Sequence, residues 1–334
     1  MASLTNSTPP RFDDVLAAAG RIKGHAVRTP LLEAPLLNAK LGGRLLVKPE
    51  MLQKTGSFKF RGAVNRISMI PEAQRAAGVV AYSSGNHAQG VACAAAMLGL
   101  KATIIMPADA PAIKIANTRA YGAEVVTYDR FGENREEIGA RIAAERGATI
   151  VRPYDDAGVI AGQGTIGLEI AEQAAELGAA LDAVLVCCGG GGLVSGTALA
   201  LSEKLPGVPV YSVEPAGFDD TARSLASGSR IANDMSNRSI CDALLAEKPG
   251  EITFELNRRL LKAGLVVSDA EAQIGMAHAF RYLKLVAEPG GAVALAAAVT
   301  GKIDMKGKTV AVVCSGGNVD QAAFLEALTQ AGEV

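Results

Sequence analysis

The sequence contains no tryptophan, and phenylalanine and tyrosine bring the aromatic share to only 4% of its 334 residues. Glycine, at 37 residues, fills that space together with alanine and valine. This is the composition of helices packed closely on buried sheet, and it excludes an all-β sandwich. Net charge is also almost absent, because 33 lysines and arginines face 34 acids. No basic field exists to hold nucleic acid or an anionic lipid surface. The five cysteines, Cys93, Cys187, Cys188, Cys241 and Cys314, form no C-x-x-C pair. Three lie in apolar, strand-like runs, which points to buried reduced thiols in a cytosolic protein. No apolar run reaches membrane-spanning length, and Met1 to Pro10 is a polar lead-in, expected to be disordered, without a signal core. A soluble, cytoplasmic protein is expected.

Strand-like and helix-like segments alternate with regular spacing. Val79–Tyr82, Ala102–Met106, Glu124–Tyr128 and Ala148–Val151 read as strands recurring about every 22 residues, with room for one helix between each pair. A second set follows at Ala183–Cys187, Val208–Val213, Leu265–Val267 and Thr309–Cys314, and Arg44–Val47 reads as a short earlier strand. Helix starts are marked by Asp219 or Asp220, Ser268 or Asp269, and Asn318 or Asp320 as N-caps. The fold class is therefore α/β: two open, twisted, parallel-type sheets flanked by helices. No Pro- or Ser-rich linker, internal repeat or low-complexity tract separates them. The division expected is a large domain of residues 1–77 and 155–334 and a small one of residues 78–154, with a cleft between.

Four stretches carry chemistry. In Thr55-Gly56-Ser57-Phe58-Lys59-Phe60-Arg61-Gly62-Ala63 a lysine stands between two aromatics at the head of a helical stretch. Desolvation and the positive end of a helix dipole both disfavour its cation, and the neutral amine is the form that attacks an aldehyde. In isolation the same pattern describes a surface lysine on an amphipathic helix. Ser83-Ser84-Gly85-Asn86-His87-Ala88-Gln89-Gly90 follows a strand and opens a helix, as an anion site does. Capping accounts for one of its polar residues, not four. Cys188-Gly189-Gly190-Gly191-Gly192-Leu193 lets bare main chain wrap a phosphate. A compact monophosphate fits better than a dinucleotide, and a nicotinamide dehydrogenase stays only an outsider, because Leu193, Val194 or Ser195 always falls on a glycine that G-x-G-x-x-G requires. Ser315-Gly316-Gly317-Asn318 ends the last strand, where ligands of open α/β sheets bind, although a plain turn would look alike.

Taken in order from Arg28-Thr29-Pro30-Leu31 to Asn318, these motifs resemble the fold-type II pyridoxal-phosphate enzymes, in the threonine/serine dehydratase and serine racemase branch. The resemblance implies a cofactor in the interdomain cleft. Lys59 would hold its aldehyde, Phe58 would pack on its ring and Asn86 would bond its hydroxyl. Gly189, Gly190, Gly191, Gly192 and Leu193 would bind its phosphate, and Ser315 would face the ring nitrogen. Ser83, Asn86 and His87 would hold a small amino-acid substrate's carboxylate, with Ser84 on the face opposite Lys59. The activity implied is ammonia-lyase action on L-threonine or L-serine, with 3-hydroxyaspartate elimination and serine racemisation as alternatives. A non-catalytic ligand-binding relative is the outsider. Arg135 would reach a second substrate carboxylate if it enters the cleft; otherwise it belongs to a solvated helix face. Glu214, Phe218 (by its carbonyl) and Asp220 resemble a divalent-cation site for Mg²⁺, Mn²⁺ or Ca²⁺, although both aspartates there also suit a helix cap. A homodimer is implied, and feedback by isoleucine is not expected. Ala243 stands where many relatives have glycine beside the cofactor. Glu288 matches a family glutamate of unassigned role, and Pro289 at a helix start is sufficient reason for that motif.

Overall fold

A computed structural model describes residues 8–332 apart from Pro111 and Phe131. Most of the polar lead-in expected over residues 1–10 lies outside the described residues. Within them nine strands form: β1 (Arg44–Pro49), β2 (Val79–Tyr82), β3 (Ala102–Pro107), β4 (Glu124–Tyr128), β5 (Thr149–Ile150), β6 (Ala183–Cys187), β7 (Val210–Pro215), β8 (Leu261–Val267) and β9 (Thr309–Cys314). They build two all-parallel sheets, one in the order β1-β9-β6-β7-β8 and one in the order β4-β3-β2-β5. Both are covered on two faces, which is why their central strands read as unbroken apolar runs.

In the five-stranded sheet, alternate residues feed opposite cores. Leu45, Val47, Leu185, Cys187, Val310 and Val312 pack under the helices Asp269–His278 and Pro289–Val299. Leu46, Val184, Val186, Ala311 and Val313 meet Ala157–Glu176 and Gly192–Lys204. Ser268 closes a capping box with Glu271, as its sequence position predicts.

The helix Lys59–Ser68 joins the two halves. Its Phe60, Ala63, Val64 and Ile67 belong to the same core as Val79, Ala81 and Ile104 of the four-stranded sheet. Its other side approaches helix Ala157–Glu176 so closely that a methyl on Gly162 would lie 2.7 Å from the Gly62 Cα. Beneath it, Arg61 is fully buried between Glu50 (2.8 Å) and Glu169 (2.6 Å), and Lys48 reaches Glu169 at 2.6 Å. Two cations and two carboxylates thus neutralise one another out of water, and removing one would strand its partners. The first residue of this anchored helix is Lys59.

Candidate functional site

A cavity of about 230 Å³ opens where the two sheets' carboxyl ends meet. Lys59, Phe58, Ser83, Ser84, Asn86 and His87 line it, as do Gly189 to Leu193, Ser315 and Arg135. The sequence-predicted groups are therefore brought together, with the exception of the three expected cation ligands.

Lys59 Nζ donates to the Pro153 carbonyl at 2.7 Å and stands 5.1 Å from the centre of the Phe58 ring. Burial lowers its pKa to about 8, and Glu288 opposes that shift. Only Phe58 of the two flanking aromatics accompanies the lysine, since Phe60 is fully buried in the core.

The glycine loop is built for main-chain contact. Gly191 takes a left-handed conformation (φ 94°) just before the helix Gly192–Lys204. A methyl on Gly190 would penetrate the Tyr154 ring, and one on Gly192 would lie 3.0 Å from the Tyr154 carbonyl oxygen. Among the described residues, the N–H groups of Gly189 to Leu193 have no protein acceptor. Bare donors at a helix N-terminus suit a phosphate.

At the polar loop, Ser83 accepts from the Gly85 N–H at 3.2 Å, and the Ser84 side chain is exposed. His87 is buried, and its Nε2 donates to the Val151 carbonyl at 2.8 Å. Burial, with Lys59 nearby, drives its pKa down to about 3, so the ring is neutral and Nδ1 is an acceptor. An acceptor repels a carboxylate. An anion bound here would meet the His87 N–H in the first turn of helix Asn86–Met97, not its ring.

Arg135 opens the helix Arg135–Arg146, with its guanidinium 5.6 Å from the centre of the Tyr82 ring. Although it is exposed, it faces the cavity and has no carboxylate partner among the described residues. A helix-face position and a cleft position coincide here.

The cation site expected at Glu214, Phe218 and Asp220, two carboxylates and a carbonyl, is not shown. Among the described residues, no three His, Cys, Asp or Glu side chains gather to hold a metal ion. Glu214 spends both oxygens on the N–H groups of Thr221 (3.0 Å) and Ala222 (2.8 Å), capping the helix Asp220–Ser227. Asp220 accepts from Asn233 at 2.7 Å, and its Oδ2 is buried without a partner. Burial and the neighbouring Asp220 hold Glu214 well above the usual carboxylate range.

Several cavity residues were not singled out from sequence. Tyr154 packs on the glycine loop, and Lys114 pairs with Asp242 at 2.8 Å across the rim. No motif marks them, because each depends on a contact between distant segments. Glu288 is placed in the cavity wall, where burial and Asp242 raise it to about 8.

An aldehyde-reactive amine facing a bare phosphate cradle is the donor set that pyridoxal phosphate requires. Residues 22–316 match the family model described as pyridoxal-phosphate dependent enzyme. The chain belongs to that family. Within it, the chain is 46% identical to an L-threo-3-hydroxyaspartate ammonia-lyase of a Pseudomonas species, over 92% of this chain and 95% of that one. It is 41% identical to a serine racemase of Schizosaccharomyces pombe, over 97% and 99%. The crystal structure of a T.th. threonine deaminase superposes with a TM-score of 0.88 at 43% identity, covering 93% of this chain and 99% of that one. This pyridoxal-phosphate enzyme therefore has the fold-type II architecture and stands in the ammonia-lyase and racemase branch. Among the described residues, no helix is long and apolar enough to cross a membrane.

Proposed function

We propose that this enzyme eliminates water from L-threo-3-hydroxyaspartate, a β-hydroxy amino acid with a second carboxylate, and releases oxaloacetate and ammonia. The observation that carries the reading is Arg135, a cavity-facing guanidinium laid on Tyr82 with no protein carboxylate to neutralise it among the described residues. Its planar fork suits a substrate carboxylate. The Pseudomonas relative with that named activity supports the same substrate.

The bound cofactor supplies the electron sink that acidifies the substrate Cα. Lys59 would hold it by the aldehyde, Gly189 to Leu193 by the phosphate, and Phe58, Asn86 and Ser315 at the ring. The N–H groups that open helix Asn86–Met97, with the Ser83 and Ser84 hydroxyls, receive the α-carboxylate. Lys59 Nζ, neutral for a useful fraction of the time with a pKa near 8, takes the Cα proton. The β-hydroxyl leaves as water, its extra proton balanced by the one Lys59 took from Cα, and hydrolysis of the resulting enamine gives the 2-oxo acid and ammonia.

The deciding experiment compares L-threo-3-hydroxyaspartate with L-threonine in wild type and Arg135→Ala. Loss of the charged hydrogen bonds should lower kcat/KM for hydroxyaspartate by about 10- to 100-fold and change that for threonine less than about twofold. Equal losses on both substrates would refute the role given to Arg135. Threonine or serine elimination is the second reading, favoured by the likeness to the T.th. threonine deaminase, and a wild type that prefers threonine would select it.

A further inference from the structure

The geometry points to a positioning role for Asn318 and Glu288, exerted on the amide of Asn86. The chain of hydrogen bonds starts from a group that cannot rotate, the main-chain carbonyl of Thr55. Asn318 Nδ2 donates to that carbonyl at 2.8 Å and also to Asn86 Oδ1 at 2.8 Å. Both hydrogens of the Asn318 amide are spent, and a flipped Asn318 would set its oxygen against two acceptors. Asn86 Oδ1 is thereby fixed as an acceptor. Its Nδ2 then donates to Glu288 Oε1 at 2.6 Å. One N–H of Asn86 remains, and Asn86 lines the cavity. The site therefore presents a donor, not a carbonyl, at this point.

Two glycines make room for the lock. A methyl on Gly56 would lie 2.6 Å from Asn318 Oδ1. A methyl on Gly316 would overlap Glu288 Oε1 and lie 3.1 Å from the Ser57 Cβ. The unassigned Glu288, and the Asn318 that a plain turn would not need, acquire one common purpose. A pyridoxal ring held by its aldehyde at Lys59 and its phosphate at Gly189 to Leu193 carries one further polar substituent on the carbon flanking the aldehyde, on the side away from the phosphate. That substituent is an oxygen, and an enforced N–H donor favours its anionic form.

The test is equilibrium binding of pyridoxal phosphate to apoprotein at pH 9, with the absorbance spectrum of the bound cofactor as a second readout. Asn318→Asp replaces both donated hydrogens with lone pairs at nearly constant shape, and Glu288→Leu removes the acceptor. Each should weaken binding about tenfold or more and shift the bound cofactor's spectrum. Glu288→Gln keeps an acceptor oxygen for Asn86 and should retain affinity within about threefold. The same set is repeated with 3-deoxypyridoxal phosphate, which lacks the ring oxygen. Convergence of wild type and variants on that analogue supports the lock. An equal loss on both cofactors, or wild-type affinity and spectrum in Asn318→Asp and Glu288→Leu, overturns it. Substrate choice does not enter these measurements, so their outcome is independent of the role of Arg135.

Discussion

Ser83–Gly90 and Cys188–Gly196 both run from the carboxyl end of a parallel strand into a helix, yet they meet the cavity with different chemistry. The glycine loop offers only main-chain N–H groups, and packing closes off side chains there: Tyr154 lies against Gly190, and Thr253 donates to the Gly190 carbonyl at 2.8 Å. The polar loop displays hydroxyls and an amide, and its exposed Ser84 is not confined by packing. The first suits a ligand that is identical in every turnover, because its contacts depend on no rotamer. The hydroxyls of the second, apart from its locked Asn86 amide, suit a ligand that varies. Between relatives named for hydroxyaspartate, threonine and serine, the substrate changes while the phosphate does not.

Breaking the rigid loop should have the largest effect. Gly190→Ala drives a methyl into the Tyr154 ring, an overpacking cost of about 1–3 kcal/mol borne at the phosphate cradle. Pyridoxal phosphate affinity of the apoprotein should fall roughly 30-fold or more, with a smaller loss for pyridoxal, which lacks the phosphate. Ser84→Ala in the polar loop is the contrast. It deletes an exposed hydroxyl and should leave cofactor affinity within about twofold. The resemblance puts Ser84 on the face opposite Lys59, where it would reprotonate Cα; in that role its loss should abolish any formation of D-serine from L-serine. A cofactor deficit in Ser84→Ala equal to that of Gly190→Ala would erase the distinction between the loops.

Local signals made much of this legible. All nine strands stand near their sequence-read positions, and the central ones are the clearest, since buried parallel strands are continuous apolar runs. Lys59, the glycine loop and the polar loop could be read because special backbone and special chemistry coincide in a few adjacent residues. Strand order could not, because β1 pairs with β9 across most of the chain, and no local pattern encodes that closure. Lys48, Arg61 and Glu50 are buried and join the partly buried Glu169 in a quartet, whereas charge in a sequence ordinarily signals surface. The acidic cluster at Asp219 and Asp220 also had two readings, ligand or cap. The structure gives capping to Glu214, whose side chain reaches the helix from the preceding strand.

Between the loops stands Lys59, whose charge sharpens the comparison through pH. With a pKa near 8, the reactive neutral amine rises from about 10% at pH 7 to about 90% at pH 9. The rate at which apoprotein captures pyridoxal phosphate, followed by absorbance, should therefore climb about ninefold over that interval. Glu288 raises the lysine's pKa, so removing its charge in Glu288→Gln should move the midpoint to lower pH. A flat profile in wild type would mean that Lys59 is not the titrating nucleophile.

The smallest effect belongs to a third helix start, the one near Asp220, where two carboxylates share a buried space away from the cavity. Asp220 is raised to about 6 from its ordinary 3.8, chiefly by burial. A carboxyl raised in the folded state binds its proton more tightly there than in the unfolded chain. Its contribution therefore favours folding at low pH and is lost as pH climbs from about 4 to about 6. Asp220→Asn keeps an oxygen for the Asn233 amide and removes the charge, so above pH 6 it should be more stable than wild type by about 1–2 kcal/mol. Urea unfolding at pH 5 and pH 8 measures this, with the gain confined to the higher pH. Adding Mg²⁺ at pH 8, where Asp220 is ionised, then asks whether an ion answers this charge. If the pair takes no ion, wild type and Asn variant respond alike to it. Stabilisation of wild type alone would instead return the pair to its sequence-read duty as cation ligands.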